Sequence, residues 1–324
     1  IRAAMEEAGI KAIQYDDVVY QSAGISVTPL TQSPHLVRVL QRGYEATMGE
    51  WSNFVGTTAN EAQKLFIEQS DWALNQVMSG SLSYTQAVKE SINKIIKDGV
   101  TINYPTGHTD TVETATARAV RAGIAKTAGD VSIARMEEVD WDIVLVSAHI
   151  GARTADGTPT PANHYYWQGK FYSRTGRTKE YPNFYESTGF GTGEGLSGWN
   201  CRHSFGSGDG KNNPFERYDS GENLKQEELY RKQRAYECRI RSSKRDVAGL
   251  QKAVDSCNDE AAKFELQLEL DKKSYLLQKR NSAYREFCKE NNLKELQERL
   301  RIAEWNREVA AKARGAARRY KNSR

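Results

Sequence analysis

The chain has 324 residues, of which 38% are apolar and 27% charged, with a formal net charge of +4. That polarity points to a moderate core carrying long wetted helices, and no apolar run approaches the roughly 18 residues of a membrane span. Cys201, Cys238, Cys257 and Cys288 are too scattered for a secreted disulfide framework and read as reduced thiols of a cytoplasm. The opening Ile1-Arg2-Ala3-Ala4-Met5 has neither an initiator methionine nor a signal-peptide apolar segment, so the chain is expected to begin inside a longer one.

Residues 1–98 read as a helical region. Leu36, Val37, Val39, Leu40 and Tyr44 carry a helical period after Ser33-Pro34, where proline suits a first turn. Ala59 to Met78 repeats the period through Ala62, Leu65, Phe66, Trp72, Leu74 and Val77. Ser83 is placed as an N-cap with Gln86 three residues on, opening a helix through Ala87, Ile92, Ile95 and Ile96 that stops at Asp98-Gly99. Such a pattern describes packed helices without chemistry of their own.

Residues 99–220 change character. Val100 to Tyr104 alternates like a short strand and Pro105-Thr106-Gly107 turns it. Thr111 to Val139 reads as a helical pair with Ala115, Ala119, Val120, Ile124 and Ala125 on one side and Arg118 and Arg121 beside them. Asp142 to Ser147 is a β-branched run long enough for a buried strand. From Ala148 to about Tyr218, Gly, Thr, Asn and aromatics replace helical periodicity, so the backbone there must be held by specific contacts.

Residues 221–324 are helical again. Tyr236, Ser243, Leu250 and Cys257 recur every seven positions, as do Ile240, Val247 and Val254. A second segment, Asn258 to Lys289, carries Phe264, Leu268, Tyr275, Tyr284 and Phe287, and a third runs from Leu293 through Leu296 and Leu300 to Ile302. These are long coiled-coil-like helices that fold on one another or pair with another protein. The expected fold class is α+β: a small loop-rich α+β central domain between a helical N-terminal region and long C-terminal helices.

Potential chemistry concentrates in the centre. His149, His164 and His203 fall within the loop-rich region, with Cys201 two residues before His203. A Cys-x-His turn with two more histidines can supply a tetrahedral N/S site suited to Zn²⁺, a staple for a region with little core. The alternative is separate polar residues in hydrogen-bonded turns, since no Cys-x-x-Cys pair is present. Glu186 and Glu194 share an aromatic and glycine-rich setting, but their spacing sets no geometry and pairs them with no nucleophile. Ser147 and Ser204 lie near histidines without a nucleophile elbow, and Gly189-x-Gly191-x-Gly193-x-Gly195 follows no strand and leads to no Gly-Lys-Ser/Thr. Arg231, Lys232, Arg234, Arg239, Arg241, Lys244 and Arg245 crowd one helix, and Arg314, Arg318, Arg319, Lys321 and Arg324 follow in the tail. Such faces neutralise nucleic-acid phosphates or meet an acidic partner.

Four ordered motifs are distinctive: Val146-Ser147-Ala148-His149-Ile150-Gly151-Ala152-Arg153, Trp167-Gln168-Gly169-Lys170-Phe171-Tyr172-Ser173, Tyr181-Pro182-Asn183-Phe184-Tyr185-Glu186, and the run from Gly189 through Trp199-Asn200-Cys201-Arg202-His203 to Phe205. Together with Ala117 to Val120 and Gln233 to Glu237 they resemble the phage minor capsid protein 2 family over roughly residues 95–320. The resemblance implies a virion or prohead component, without enzymatic activity, in the capsid interior or at the portal vertex after assembly in the host cytoplasm. Its implied partners are portal and major capsid subunits, and genomic DNA through the basic helices, with no membrane and no small-molecule substrate. The family is distantly similar to the Mu F-like head-morphogenesis proteins, whose Cys-x-x-Cys and later His-Pro-x-Cys-Arg-Cys place His164, Cys201 and His203 as metal ligands, with His149 the fourth. Thr154 to Asn163 is an apparent insertion relative to the family pattern, and residues before about 95 carry no matching motif. Arg153, Lys170 and Arg202 are expected to hold the motif loops by hydrogen bonds, and Trp167 and Trp199 to pack their core; Gln168, Gly169 and Glu186 complete the motif set. The rival is an ADP-ribosyltransferase-like enzyme or phage-delivered effector using NAD, for which Arg153, Ser187 and Glu186 would be nominated, although their order and spacing depart from that pattern.

Overall fold

The computed structural model describes residues 1–99, 101–103 and 109–323. In chain order the helices are α1 (Arg2–Ser22), α2 (Pro34–Met78), α3 (Tyr84–Asp98), α4 (Val112–Glu138), α5 (His164–Trp167), α6 (Phe184–Thr188), α7 (Ser220–Ser256), α8 (Glu260–Glu290) and α9 (Arg307–Asn322). The strands are β1 (Thr101–Asn103), β2 (Thr109–Thr111), β3 (Ile143–Val146), β4 (Phe171–Ser173) and β5 (Phe205–Ser207), and 3₁₀ turns occupy Leu30–Gln32 and Gln297–Leu300. The chain is helix-dominated α+β.

Contacts group these elements into two compact units built from discontinuous segments, residues 1–53 with 114–228 and residues 54–113 with 229–324. The sequence regions, by contrast, are consecutive. A helical period records local backbone state, whereas unit membership records which distant face each helix buries.

In the first unit, β3 is the central strand of an antiparallel sheet ordered β4-β3-β5. Val144 and Val146 join Trp167, Tyr172, Phe184 and Leu196 in its core. Helix α1 buries Met5, Gly9, Ile13, Asp16 and Tyr20, the three- and four-residue spacing of one helical face. It is tied to β5 by the Ser207 N–H, which donates to Asp16 Oδ1 at 2.6 Å, and by a Tyr20–Ser207 hydroxyl pair. The expected helices around Leu36 and Ala59 are parts of one helix, α2, because no proline interrupts them. The predicted pair over Thr111–Val139 is likewise the single helix α4. A reciprocal contact joins α2 to α4: Gly43 faces the Thr127 side chain and Gly123 faces Thr47. Each threonine turns its hydroxyl back to the carbonyl one helical turn earlier, Thr47 to Gly43 at 3.0 Å and Thr127 to Gly123 at 2.7 Å.

In the second unit, Ile240, Val247, Leu250 and Val254 of α7 pack in one core with Leu266, Leu270, Leu277 and Tyr284 of α8 and Ala313 and Ala316 of α9. The heptad seam is therefore buried within the chain. Ser83 caps α3 by accepting from the Gln86 N–H. Strand β1 pairs antiparallel with β2. Val100, Tyr104 and the predicted turn Pro105-Thr106-Gly107 lie outside the described residues. The third expected helical segment, Leu293 to Ile302, holds only the 3₁₀ turn Gln297–Leu300. Side chains replace the helical ladder there: Gln233 donates to the Lys294 carbonyl, Arg241 to that of Arg299 and Lys244 to that of Leu300. The basic tail instead forms α9, which buries Ala313, Ala316 and Ala317.

Candidate metal centre

Loops that leave and enter the ends of β3, β4 and β5 bring four distant residues together. His149 follows β3, His164 opens α5, and Cys201 and His203 precede β5. One ligand atom each from His164, Cys201 and His203 lies within 4.8 Å of the others, with both histidines buried. Cys201 Sγ is 3.7 Å from His203 Nδ1. The His149 ring stacks on that of His203 with centroids 4.3 Å apart, and His203 also meets the edge of Trp167 at 4.8 Å.

Gln168 organises this cluster. Its Oε1 accepts from the His149 backbone N–H at 3.0 Å and lies 3.0 Å from His203 Nε2. A backbone N–H can only donate, so the amide orientation follows, and His203 Nε2 must carry the proton it gives to Gln168. Arg153 crosses the same region, with Nη2 3.2 Å from the Trp199 carbonyl and 2.9 Å from His164 Nε2. At the start of α7, Asn223 accepts from the N–H groups of Gly151 and Ala152 and donates to the Ala152 carbonyl, and Glu227 accepts from Thr154. Asn223 and Glu227 were missed in the sequence; their signal is an N-terminal helix turn after Asp219, which says nothing of a loop some seventy residues earlier. Gly195 closes the glycine-rich run against the carbonyls of Thr188 and Gly189, where a Cβ would collide with backbone.

Burial disfavours charge on these imidazoles. It lowers the pKa of His149, brings His164 to about 4 and takes His203 to about 2, the neighbouring histidines and arginines adding to the effect. Burial raises the Cys201 thiol. Three neutral imidazoles and one protonated thiol line the cluster.

The other motif residues lie around it. Trp167 is fully buried and donates from Nε1 to the Pro161 carbonyl at 3.0 Å. Trp199 does not pack the core: it is 58% exposed, its ring lying over Gly193, because the tight backbone turn that brings its N–H to the Gly193 carbonyl points the indole outward. Lys170 holds its ammonium over the Tyr166 ring at 4.4 Å, and Gly169 takes a positive φ of 63°. Arg202 is exposed, and Glu186 sits exposed in the first turn of α6 after the Asn183 cap. On α7, Arg231, Lys232 and Arg234 are exposed by residue area, whereas Arg241 and Lys244 direct their donors at carbonyls of the chain and Arg245 is half-buried.

Fold and site define a helix-dominated α+β protein organised round a histidine-rich cluster of clamped loops. Residues 1–287 match the family profile described as Phage minor capsid protein 2, and the chain belongs to that family. No curated protein and no solved structure matched it. The match begins at residue 1, so the helices of the first hundred residues belong to the family region, and it ends within α8 rather than near residue 320. Membership makes the chain a structural, virion-associated phage protein. No described helix is long and apolar enough to cross a membrane.

Proposed function

We propose that the chain acts in head assembly by binding portal or major capsid subunits, at the portal vertex or the inner capsid wall. The observation that carries this reading is an uncovered apolar face on α2. Val55, Phe66, Ile67, Leu74 and Met78 are all exposed, Phe66 by 59% and Met78 by 76%. At about 3.6 residues per turn they fall within less than half of the helix circumference. A face of this kind on a chain from a particle-forming family is a surface for another subunit. The basic residues Arg231, Lys232 and Arg234 on α7 would add contacts to packaged DNA or to an acidic subunit, and no chemical step is required of any residue.

Co-expression with the portal and major capsid proteins of the same phage tests this. The wild-type chain is expected to co-purify with one of them, and a Phe66→Asp, Leu74→Asp variant to lose the partner while keeping its Tm. Absence of any wild-type complex with either protein would defeat the proposal. Incubation with NAD should leave the nucleotide intact; its turnover would favour the ADP-ribosyltransferase-like alternative.

A further inference from the structure

We propose that His149, His164, Cys201 and His203 form one tetrahedral N₃S site for a zinc-class divalent cation, which staples the loop after β3 to the loops before β4 and β5. The argument begins with hydrogen-bond accounting. Each of the three imidazoles has one ring nitrogen beside an oxygen acceptor: His203 Nε2 at Gln168 Oε1 (3.0 Å), His164 Nε2 at the Glu194 carbonyl (2.8 Å) and His149 Nδ1 at the Ile150 carbonyl (3.1 Å). A carbonyl oxygen only accepts, so His203 Nε2 and His149 Nδ1 bear hydrogen, whereas His164 Nε2 stands between the Glu194 carbonyl and the donor Arg153 Nη2 at 2.9 Å and can bond only one of them.

That assignment leaves lone pairs on His203 Nδ1 and His149 Nε2, and His164 offers one on Nδ1 when its Nε2 donates to the Glu194 carbonyl. His149 Nε2 is buried and has no hydrogen-bond partner. His203 Nδ1 faces the weak Cys201 thiol at 3.7 Å. Buried polar atoms are nearly always satisfied, and an acceptor without a donor in a dry cluster costs on the order of 1–3 kcal/mol. Separate satisfied core histidines do not account for this; a shared cation does. Histidines that ligate a metal typically present one nitrogen to it and the other to a carbonyl or amide oxygen, which is the arrangement here.

The dimensions fit three of the four ligands as they stand. Ligand atoms roughly 2.0–2.3 Å from a tetrahedral zinc stand about 3.3–3.8 Å from one another. Cys201 Sγ and His203 Nδ1 already have that separation, and His164, Cys201 and His203 offer ligand atoms within 4.8 Å of one another; His149 stands outside that group, its ring stacked on His203, and has to turn its unpartnered Nε2 inward to complete the tetrahedron. Three neutral nitrogens and one sulfur are a borderline-soft set that selects zinc over magnesium or calcium. On binding, Cys201 releases its thiol proton to solvent and coordinates as thiolate, whose negative charge offsets the nearby Arg153 and Arg202. No electron transfer is involved.

The test uses the full chain with zinc, cobalt(II) or magnesium as the only added probe. Protein from zinc-supplemented cells should carry one equivalent of zinc by elemental analysis. After chelation and cobalt loading it should show a thiolate-to-cobalt charge-transfer band in the near ultraviolet and intense tetrahedral d–d bands. Cys201→Ser should abolish the charge-transfer band, His149→Ala should weaken cobalt binding at least tenfold, and Gln168→Ala should weaken it by roughly 10–100-fold. Because a ligand variant can misfold, the wild type provides a second reading: chelation lowers its Tm and zinc, not magnesium, restores it. Folded wild-type protein that takes up neither zinc nor cobalt overturns the proposal, as does cobalt uptake without a thiolate band or with undiminished affinity in His149→Ala. None of these outcomes depends on which head protein the chain binds.

Discussion

Two buried carboxylates show how a single side chain is governed by what surrounds it. Asp16 on α1 is fully buried, accepts from the Ser207 N–H and leaves Oδ2 without a partner. Burial raises its pKa from 3.8 to about 6 against the opposing Ser207 and Ser132 bonds, Asp17 repels its charge, and Tyr15 and Tyr20 are raised by burial and then by Asp16. A folded pKa above the unfolded one means that stability from the protonated form is present at low pH and lost as pH rises through about 4 to 6. Asp16→Asn should therefore gain on the wild type across that window by up to about 3 kcal/mol. Urea unfolding of both proteins at several pH values checks this, and a constant difference would refute it. Asp142 is the reverse case. Burial raises its pKa, but donors from Ser173, Thr175 and Thr178 outweigh that and hold the carboxyl well below the usual range. Its contribution is fully present above the unfolded value and lost progressively as pH falls from there to the depressed folded value, and Asp142→Ala should destabilise by about 2–4 kcal/mol at pH 7. Neither residue was legible in the sequence. Asp16 sits in a helical period and Asp142 beside a strand, and the donors that define them come from residues far along the chain or within a loop of unpredictable path.

Among the elements, the α2–α4 contact turns on space rather than on propensity. A Cβ on Gly43 would stand 2.6 Å from Thr127 Cγ2, whereas one on Gly49 would meet nothing within 4 Å. Alanine gains about 1 kcal/mol over glycine in a helix interior, and overpacking costs about 1–3 kcal/mol. Gly43→Ala should then lose stability while Gly49→Ala gains it, by thermal unfolding; equal gains would dissolve the close-contact explanation. The existence of most long helices was legible because apolar periodicity and caps such as Ser83 are local. Their joins were not: α2 and α4 each run through a place where two helices were expected, and Leu293 to Ile302 follows side-chain donors from α7 instead of its own ladder. Helix α9 carried a readable signal in Ala313, Ala316 and Ala317, which the basic residues around it obscured.

At the scale of the whole molecule, each unit has a core of its own, one round Val144 and Trp167 and the other round Leu250 and Leu270. Leu250→Ala should cost about 2–5 kcal/mol, and Val144→Ala should also destabilise, each within its own unit. In calorimetry the two substitutions are expected to move different transitions, with metal chelation moving the one that Val144→Ala moves. A single transition shifted equally by both would show that the two cores unfold together.

The sequence by itself determined the helix-dominated α+β class, the buried strand at Ile143–Val146, the family, and the residue types around the cluster. Each of these is written locally, in a period, a cap or an ordered motif. The tertiary structure alone decided that Cys201 lies against His203 while Gln168 orients both His149 and His203, that Trp199 faces outward, and that α1 fastens to β5 through Asp16 and Tyr20. Apart from the local Cys201–His203 and Trp199–Gly193 contacts, those outcomes rest on hydrogen bonds between residues 19 to 191 positions apart. Only the closed chain brings such partners within reach, and spacing along the sequence carries no record of the distance between them.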